Sequence, residues 1–236
     1  MLFRSGLDVP IVKDATVEQI DGYRFVYSLP FATDEIFVED TYYSDGPALD
    51  VDAIRVRIDE YAAAKGWQIA EVLEEEQGVL PVVAGGNFDA FWRASGGPVA
   101  RAGVRAGLFQ AVTSYSLPDA VKYALALASQ QDLSGEALAR FSEQWARKHW
   151  AQSAYLRQLS ALLFAGAAPD KRYRVLERFY SLRHGLIERF YAGKTTTFDK
   201  ARILAGKPPL PITNAIGVLT GLGARPKPLS LAGTPR

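Results

Sequence analysis

Two acidic residues stand side by side in an aromatic stretch, Phe37-Val38-Glu39-Asp40-Thr41-Tyr42-Tyr43-Ser44-Asp45. In a strand, successive side chains point to opposite faces. Phe37, Glu39, Thr41 and Tyr43 then share one face, and Val38, Asp40 and Tyr42 share the other. A carboxyl among aromatic neighbours is expected in an apolar setting. Burial disfavours the charged form of an acid and raises its pKa, which would make Glu39 a proton donor near neutral pH. Aromatic ring faces also attract cations, so an acid beside such rings suits chemistry that passes through a carbocation. A strand with Glu and Asp near its end is more usually a partly solvated sheet edge with no chemistry at all.

The elements that must position these acids are a three-stranded antiparallel meander. Pro10 to Gln19 reads as its first strand. Asp21-Gly22 is a two-residue hairpin signal, since glycine tolerates the positive φ that such turns need. Tyr23 to Leu29 alternates cleanly, with Tyr23, Phe25, Tyr27 and Leu29 on one face and Arg24, Val26 and Ser28 on the other. Pro30 is expected to end that strand, residues 31 to 35 to turn the chain, and Ile36 to Tyr43 to return. The aromatic face fits a core or the wall of an apolar pocket. Asp50 to Lys65 predicts a helix, with Ile54, Ile58 and Tyr61 at helical spacing, an aspartate cap and Gly66 as its stop. Gln68 to Glu76 and Val79 to Val83 read as a pair of strands, and Asn87 as the cap of a short helix.

Val99 to Gly107 predicts a small-residue strand and turn, where absent side chains let another group approach the backbone. Pro118 then starts a helix reaching to about Gln130. From Ser134 to about Ala205 nearly everything is helical, with Phe141, Trp145, Leu156, Leu159 and Leu163 on one stripe and Trp150 off it. Residues 1 to 138 hold 10 Lys and Arg against 21 Asp and Glu, whereas residues 139 to 210 hold 14 against 5. A basic second half carrying Trp, Tyr and Phe suits an anionic membrane surface, and equally an ordinary bundle with a basic solvent face. Gly206 to Pro211 breaks the helices. A short helix is expected from Ile212, and a disordered tail from Gly223.

Other chemistries find little footing. With no cysteine there is no disulfide and no thiolate. His149 and His184 lack partners at metal-ligand spacing. No Gly-x-Gly-x-x-Gly follows a strand, no nucleotide-triphosphate loop is present, and no nucleic-acid module is recognisable. No signal peptide is expected at Met1 to Gly6, and no apolar run nears the roughly 18 residues of a spanning helix.

Several stretches together resemble the bacterial lycopene cyclases, flavoproteins of carotenoid biosynthesis. They are Asp14-Ala15-Thr16-Val17-Glu18-Gln19, Asp21-Gly22-Tyr23-Arg24-Phe25-Val26-Tyr27 and Glu39 to Asp45. Further along come Gly78-Val79-Leu80-Pro81, Gly103-Val104-Arg105-Ala106-Gly107 with Thr113, Tyr115 and Ser116, and Ala168-Pro169-Asp170 with Arg172-Tyr173. The longest match is Gly185-Leu186-Ile187-Glu188-Arg189-Phe190-Tyr191-Ala192-Gly193, continuing to Gly206-Lys207-Pro208-Pro209. The family usually carries His-Pro and Gly where this chain has Gln110-Ala111 and Ser114. Its N-terminal dinucleotide-binding unit has no counterpart here, so most of an FAD site is expected to be missing.

The resemblance implies an α+β chain, part of an FAD-dependent α/β flavoprotein. Residues 1–116 would form a sheet-rich substrate and flavin-contact region, 117–211 a helical, basic, membrane-facing region, and 212–236 a short helix and tail. It implies cyclisation of the linear ends of lycopene to β-rings, with Glu39 as the essential acid and Asp40 as its helper or a structural acid. Reduced FAD, with NAD(P)H as the electron source, would be contacted at Gly103, Arg105, Gly107, Val112, Thr113 and Ser114, and no metal would be used. The implied partners are lycopene in the membrane, an anionic membrane surface and an N-terminal flavin-binding half, with no nucleic acid. The implied location is cytoplasmic and peripheral to the membrane. The rivals are a flavin-dependent monooxygenase-like oxidoreductase and a non-catalytic membrane-binding fragment.

Overall fold

The computed structural model describes Leu2–Phe3 and residues 6–205, 212–220 and 222. The expected break at 206–211 and the tail from Gly223 lie outside the described residues. The fold is α+β, with one antiparallel sheet and a helical second half. Contacts divide it into two compact units. The first runs up to Val79 and takes in Ala168–Arg174, and the second holds Leu80–Ala167 and the described residues from Val175.

The first unit is a five-stranded sheet. In chain order the strands are β1 (Leu2–Phe3), β2 (Ile11–Asp14), β3 (Tyr23–Ala32), β4 (Glu35–Tyr43) and β5 (Ile69–Glu71), in spatial order β2-β3-β4-β1-β5. The expected meander is its β2-β3-β4 part. Strand β2 is shorter than Pro10 to Gln19. Its register shifts between Ile11 and Asp14, Lys13 takes a φ of 60°, and the Asp14 carboxylate then accepts from the Thr16 N–H at 3.1 Å. A side chain that bonds its own backbone two residues on competes with the ladder. Asp21 and Gly22 do have positive φ, 55° and 116°, but residues 15–22 make a wide connection instead of a two-residue hairpin. A Cβ on Gly22 would lie 2.2 Å from the Tyr43 carbonyl oxygen, so that approach demands glycine. Pro30 does not end β3. It pairs with Ile36 inside the strand, and the tight turn is Thr33–Asp34.

Helix α1 (Val51–Ala64) starts at Asp50, whose side chain accepts from the Ala53 N–H at 3.1 Å. It covers the sheet face bearing Val26 and Ile36 with Tyr61 and Ala62, and Trp67 joins them. The Tyr61 hydroxyl and the Lys65 ammonium both donate to Asp14 Oδ2 at 2.9 Å. Burial pushes the Asp14 carboxyl up, but the hydrogen bonds from Thr16, Lys65 and Tyr61 outweigh it and leave the pKa at about 2. The expected strand pair after Gly66 reduces to β5, and the exposed acidic run beyond it pairs Glu75 with Arg55 at 2.7 Å.

In the second unit, α2 (Phe88–Ala94) is capped by Asn87. Val99 to Gly107 is not a strand: Gly103–Ala106 is a 3-10 turn closed by Gly107 at φ 70°. Helices α3 (Leu117–Ala128), α4 (Gly135–Gln152) and α5 (Ala154–Ala161) follow, and α5 runs into a π turn at Leu162–Gly166. Phe88, Leu108, Tyr123 and Ala146 form this unit's core, with Trp145 and Trp150 against it. Then come α6 (Arg172–Tyr180), whose first residues up to Arg174 count with the first unit, and α7 (His184–Tyr191), α8 (Thr197–Leu204) and α9 (Ile212–Thr220).

Candidate active site

Cross-strand pairing sets the geometry around the two acids. Tyr27 faces Glu39, Phe25 faces Thr41, and Tyr23 faces Tyr43, all on one side of the sheet. Ring centroids lie 5.0 Å apart for Tyr23 and Phe25, 5.2 Å for Phe25 and Tyr27, and 6.1 Å for Phe25 and Tyr43. Such spacing gives a continuous aromatic floor. Glu39 stands beside that floor, but it is exposed, not buried in the apolar setting expected of it. Tyr23 and Phe25 themselves are each 2% exposed, so the rings are covered and Glu39 lies at their exposed margin. Thr41 Oγ1 donates to Glu39 Oε1 at 2.5 Å and holds the carboxyl on the aromatic side.

Asp40 points the other way and is fully engaged. Arg24 Nε reaches Oδ1 at 2.9 Å, Arg24 Nη2 reaches Oδ2 at 3.0 Å, and the Tyr42 hydroxyl donates to Oδ2 at 2.7 Å. The two charged side chains are 6% and 0% exposed. Arg57 donates to the Tyr42 hydroxyl at 3.0 Å. Burial, followed by the bond to Asp40, pushes the Tyr42 phenol up to about 12 despite Arg57. Of the two roles left open for Asp40, this geometry fits the structural one.

Lys13 was not among the candidate site residues. The shift of register that shortens β2 turns its ammonium over the Phe25 ring, 5.3 Å from the centroid. A cation therefore already rests on the aromatic floor. The residue's only sequence signal is a charge inside a predicted strand. Burial lowers its pKa from 10.5 to about 8. Between those values the unfolded chain holds a proton that the folded chain has released, so stability rises with pH from about 8 to 10.5 and the cost is fully present below 8. Lys13→Met is expected to flatten that rise. Denaturant titrations of both chains at pH 7 and pH 10 check this.

The loop expected to contact flavin lies in the second unit and is closed upon itself. Gln110 Oε1 accepts from the N–H groups of Val112 and Thr113 at 2.7 and 2.8 Å. The Ser114 N–H donates to the Gln110 carbonyl at 2.8 Å, and that of Tyr115 to Thr113 Oγ1 at 3.3 Å. Gln110 Nε2 is buried with no hydrogen-bond partner among the described residues. Ser114 takes a left-handed φ of 61°, a conformation that costs a non-glycine residue about 1 kcal/mol or more. Its hydroxyl donates to the Pro81 carbonyl at 2.6 Å. Of the other expected contacts, Gly103 and Gly107 flank the 3-10 turn and Arg105 is exposed. The four N–H groups of residues 112–115 are thus committed within the loop and are not available to a flavin in this conformation.

Several basic residues of the second half belong to the fold instead of a free surface. Arg172 is fully buried, donates to the Tyr43 carbonyl at 2.9 Å and pairs with Asp45. Arg178 bonds the Ile203 and Ala205 carbonyls at the end of α8. Arg189 grips Asp199 at 2.6 and 2.8 Å and holds that carboxyl well below the usual carboxylate range. Arg157 lies 3.7 Å from the Trp150 ring centroid. Lys148 and Arg183 are exposed.

Residues 3–216 match the family described as lycopene cyclase protein. A lycopene beta-cyclase of Pantoea ananas is 46% identical over 211 residues, covering 89% of this chain and 55% of that protein. One from Pseudescherichia vulneris is 46% identical over 210 residues, covering 89% and 54%. A Paracoccus lycopene beta-cyclase is 45% identical over 216 residues, covering 91% and 55%. This chain belongs to the lycopene cyclase family. It spans about half the length of the curated relatives it matches. No solved structure matches it.

Proposed function

We propose that this chain carries the acid and the aromatic floor of a lycopene beta-cyclase, which converts the linear ends of lycopene to β-rings. The observation that carries the reading is the Glu39 carboxyl, held by Thr41 beside rings that already accept the Lys13 cation. A hydrocarbon brought against the exposed Glu39 at the margin of these buried rings would displace water from around it, and an apolar setting favours the neutral, proton-donating form of a carboxylic acid. Glu39 would protonate the terminal double bond. The next double bond would attack the resulting cation and close the ring, with Phe25 and its neighbours stabilising the charge. Loss of a ring proton to the carboxylate left on Glu39 would end the reaction. One proton enters and one leaves, so the product is an isomer of the substrate. No step in this scheme is assigned to a flavin.

The same reading places the whole protein at a membrane surface, because its substrate would be a bilayer-dissolved hydrocarbon. No helix among the described residues is long and apolar enough to cross a membrane. The resemblance noted in the sequence implies that an N-terminal flavin-binding part would complete the enzyme. The outward stripe Leu117, Val121 and Leu125 on α3, 73%, 49% and 70% exposed, is the sort of surface such a part would cover.

Product analysis in lycopene-accumulating cells tests the proposal. The chain is compared alone and fused behind the N-terminal part of a cyclase relative. β-Carotene from the fusion is the expected outcome. A folded fusion that makes none would overturn the reading.

A further inference from the structure

The second unit contains a cavity of about 310 Å³ whose walls carry the rings of Phe88, Phe91, Phe109 and Trp150. Its lining includes Arg157 and, among the described residues, neither Asp nor Glu. The Arg157 guanidinium lies 3.7 Å from the Trp150 ring centroid. Its Nη1 donates to the Trp150 carbonyl and, at 2.7 Å, to Ser153 Oγ. Those bonds hold the head group against the indole and occupy a single nitrogen. Nε and Nη2 have no acceptor among the described residues.

The pair left over has a particular geometry. Nε–H and Nη2–H leave one edge of the planar guanidinium side by side, and their spacing matches the two oxygens of a carboxylate. Elsewhere in this chain the same edge meets an acid. Arg24 gives Nε and Nη2 to Asp40 at 2.9 and 3.0 Å. Arg55 gives them to Glu75 at 3.0 and 2.7 Å, and Arg189 to Asp199 at 2.8 and 2.6 Å. Glu75 and Asp199 raise the pKa of their arginines, whereas burial lowers that of Arg157. Arg157 is thus a partly desolvated cation whose carboxylate-binding edge is open.

Other groups on the wall are donors as well. Asn87 Oδ1 is taken by the Ala90 N–H at 2.9 Å, which leaves the Nδ2 hydrogens. The Trp150 indole N–H has no acceptor among the described residues. His149 Nε2 lies 3.0 Å from the Phe109 carbonyl oxygen, an acceptor, so that nitrogen carries the hydrogen. Donors around one fixed positive charge select an anion, and the rings favour a flat aromatic body. An apolar cavity of about 150 Å³ is large enough for benzene, so this one has room for roughly two fused rings.

We propose that this cavity binds a flat aromatic carboxylic acid of about two rings, its carboxylate taken bidentately by Nε and Nη2 of Arg157 and its rings laid among Phe88, Phe91, Phe109 and Trp150. The assignment is independent of the cyclase reading.

The probe is 2-naphthoate added to the 236-residue chain, read by titration calorimetry and ligand-observed NMR. 2-Naphthamide keeps the shape without the charge, decanoate keeps the charge without the rings, and FMN brings a flavin with a phosphate. Saturable binding of 2-naphthoate is expected, with the amide weaker by about tenfold or more and decanoate by about threefold or more. FMN should not displace it. Arg157→Lys keeps the charge and removes the fork, so it should weaken 2-naphthoate by about tenfold or more and leave the amide within about twofold. Arg157 also bonds Trp150 and Ser153, so a second variant leaves it in place. Gly85 lines the cavity, and a Cβ there meets nothing within 4 Å. Gly85→Phe should weaken acid and amide alike by about tenfold or more. Gly97 is equally open but lies outside the lining, and Gly97→Phe should change neither.

No saturable binding by the parent chain would overturn the assignment. So would an amide or decanoate bound as tightly as 2-naphthoate, displacement by FMN, or parent-like 2-naphthoate binding by folded Arg157→Lys or Gly85→Phe.

Discussion

Glu39→Gln in the fused, full-length chain is expected to lower β-ring formation by about a thousandfold, within the range lost with a general acid. The substitution is nearly isosteric. Its amide oxygen can still accept from Thr41, which now donates to Glu39 Oε1 at 2.5 Å. An exposed side chain of unchanged shape leaves the core untouched, so the melting temperature should move by no more than about 1–2 °C. What is lost is the transferable proton. Ring product from lycopene in vesicles, measured at equal folded protein, checks this. Parent-like turnover by the variant would remove Glu39 from the mechanism and leave the aromatic floor without an acid.

Arg24→Met is the second large effect, and it falls on stability. It leaves the Asp40 carboxylate, 0% exposed, with only the Tyr42 hydroxyl bonded to it among the described residues. Breaking one side of a buried ion pair typically costs about 3–5 kcal/mol, because the remaining charge is desolvated and uncompensated. Arg24→Met with Asp40→Leu should recover much of that loss, since replacing both partners by apolar groups strands no charge. Denaturant midpoints for the two single variants and the double variant close the cycle. If Arg24→Met costs less than about 1 kcal/mol, the network does not organise the β3–β4 pair.

The two outcomes separate the faces of β4. On one face Asp40 serves the fold through Arg24, Tyr42 and Arg57. On the other Glu39 is held by Thr41, close to solvent and to the aromatic rings. A general acid that must meet a substrate gains from that looseness, whereas an acid locked by three donors has no freedom to exchange a proton.

The sequence by itself determined what depends on local periodicity. The two-residue period of Tyr23 to Leu29 and of Phe37 to Tyr43 placed Glu39 on the aromatic side and Asp40 on the other, and the pairing of β3 with β4 keeps that division. Helical spacing and an aspartate cap, Asp50 or Asp52, defined α1 in the same way, and the structure settles the cap on Asp50. Only the tertiary structure decided matters that turn on distant neighbours or on one irregular residue. Glu39 proved exposed because alternation names a face but says nothing about what covers it. Lys13 reached the aromatic floor through one residue at positive φ, which reverses the side-chain direction that a regular strand would give. Arg172, read as part of a basic surface, is buried against the Tyr43 carbonyl from 129 residues away. Gln110 closes the loop expected to hold flavin by a side-chain bond to two backbone N–H groups. The cavity beside Trp150 draws its walls from separate stretches of the second unit, and such enclosure comes from packing between segments, which no single stretch encodes.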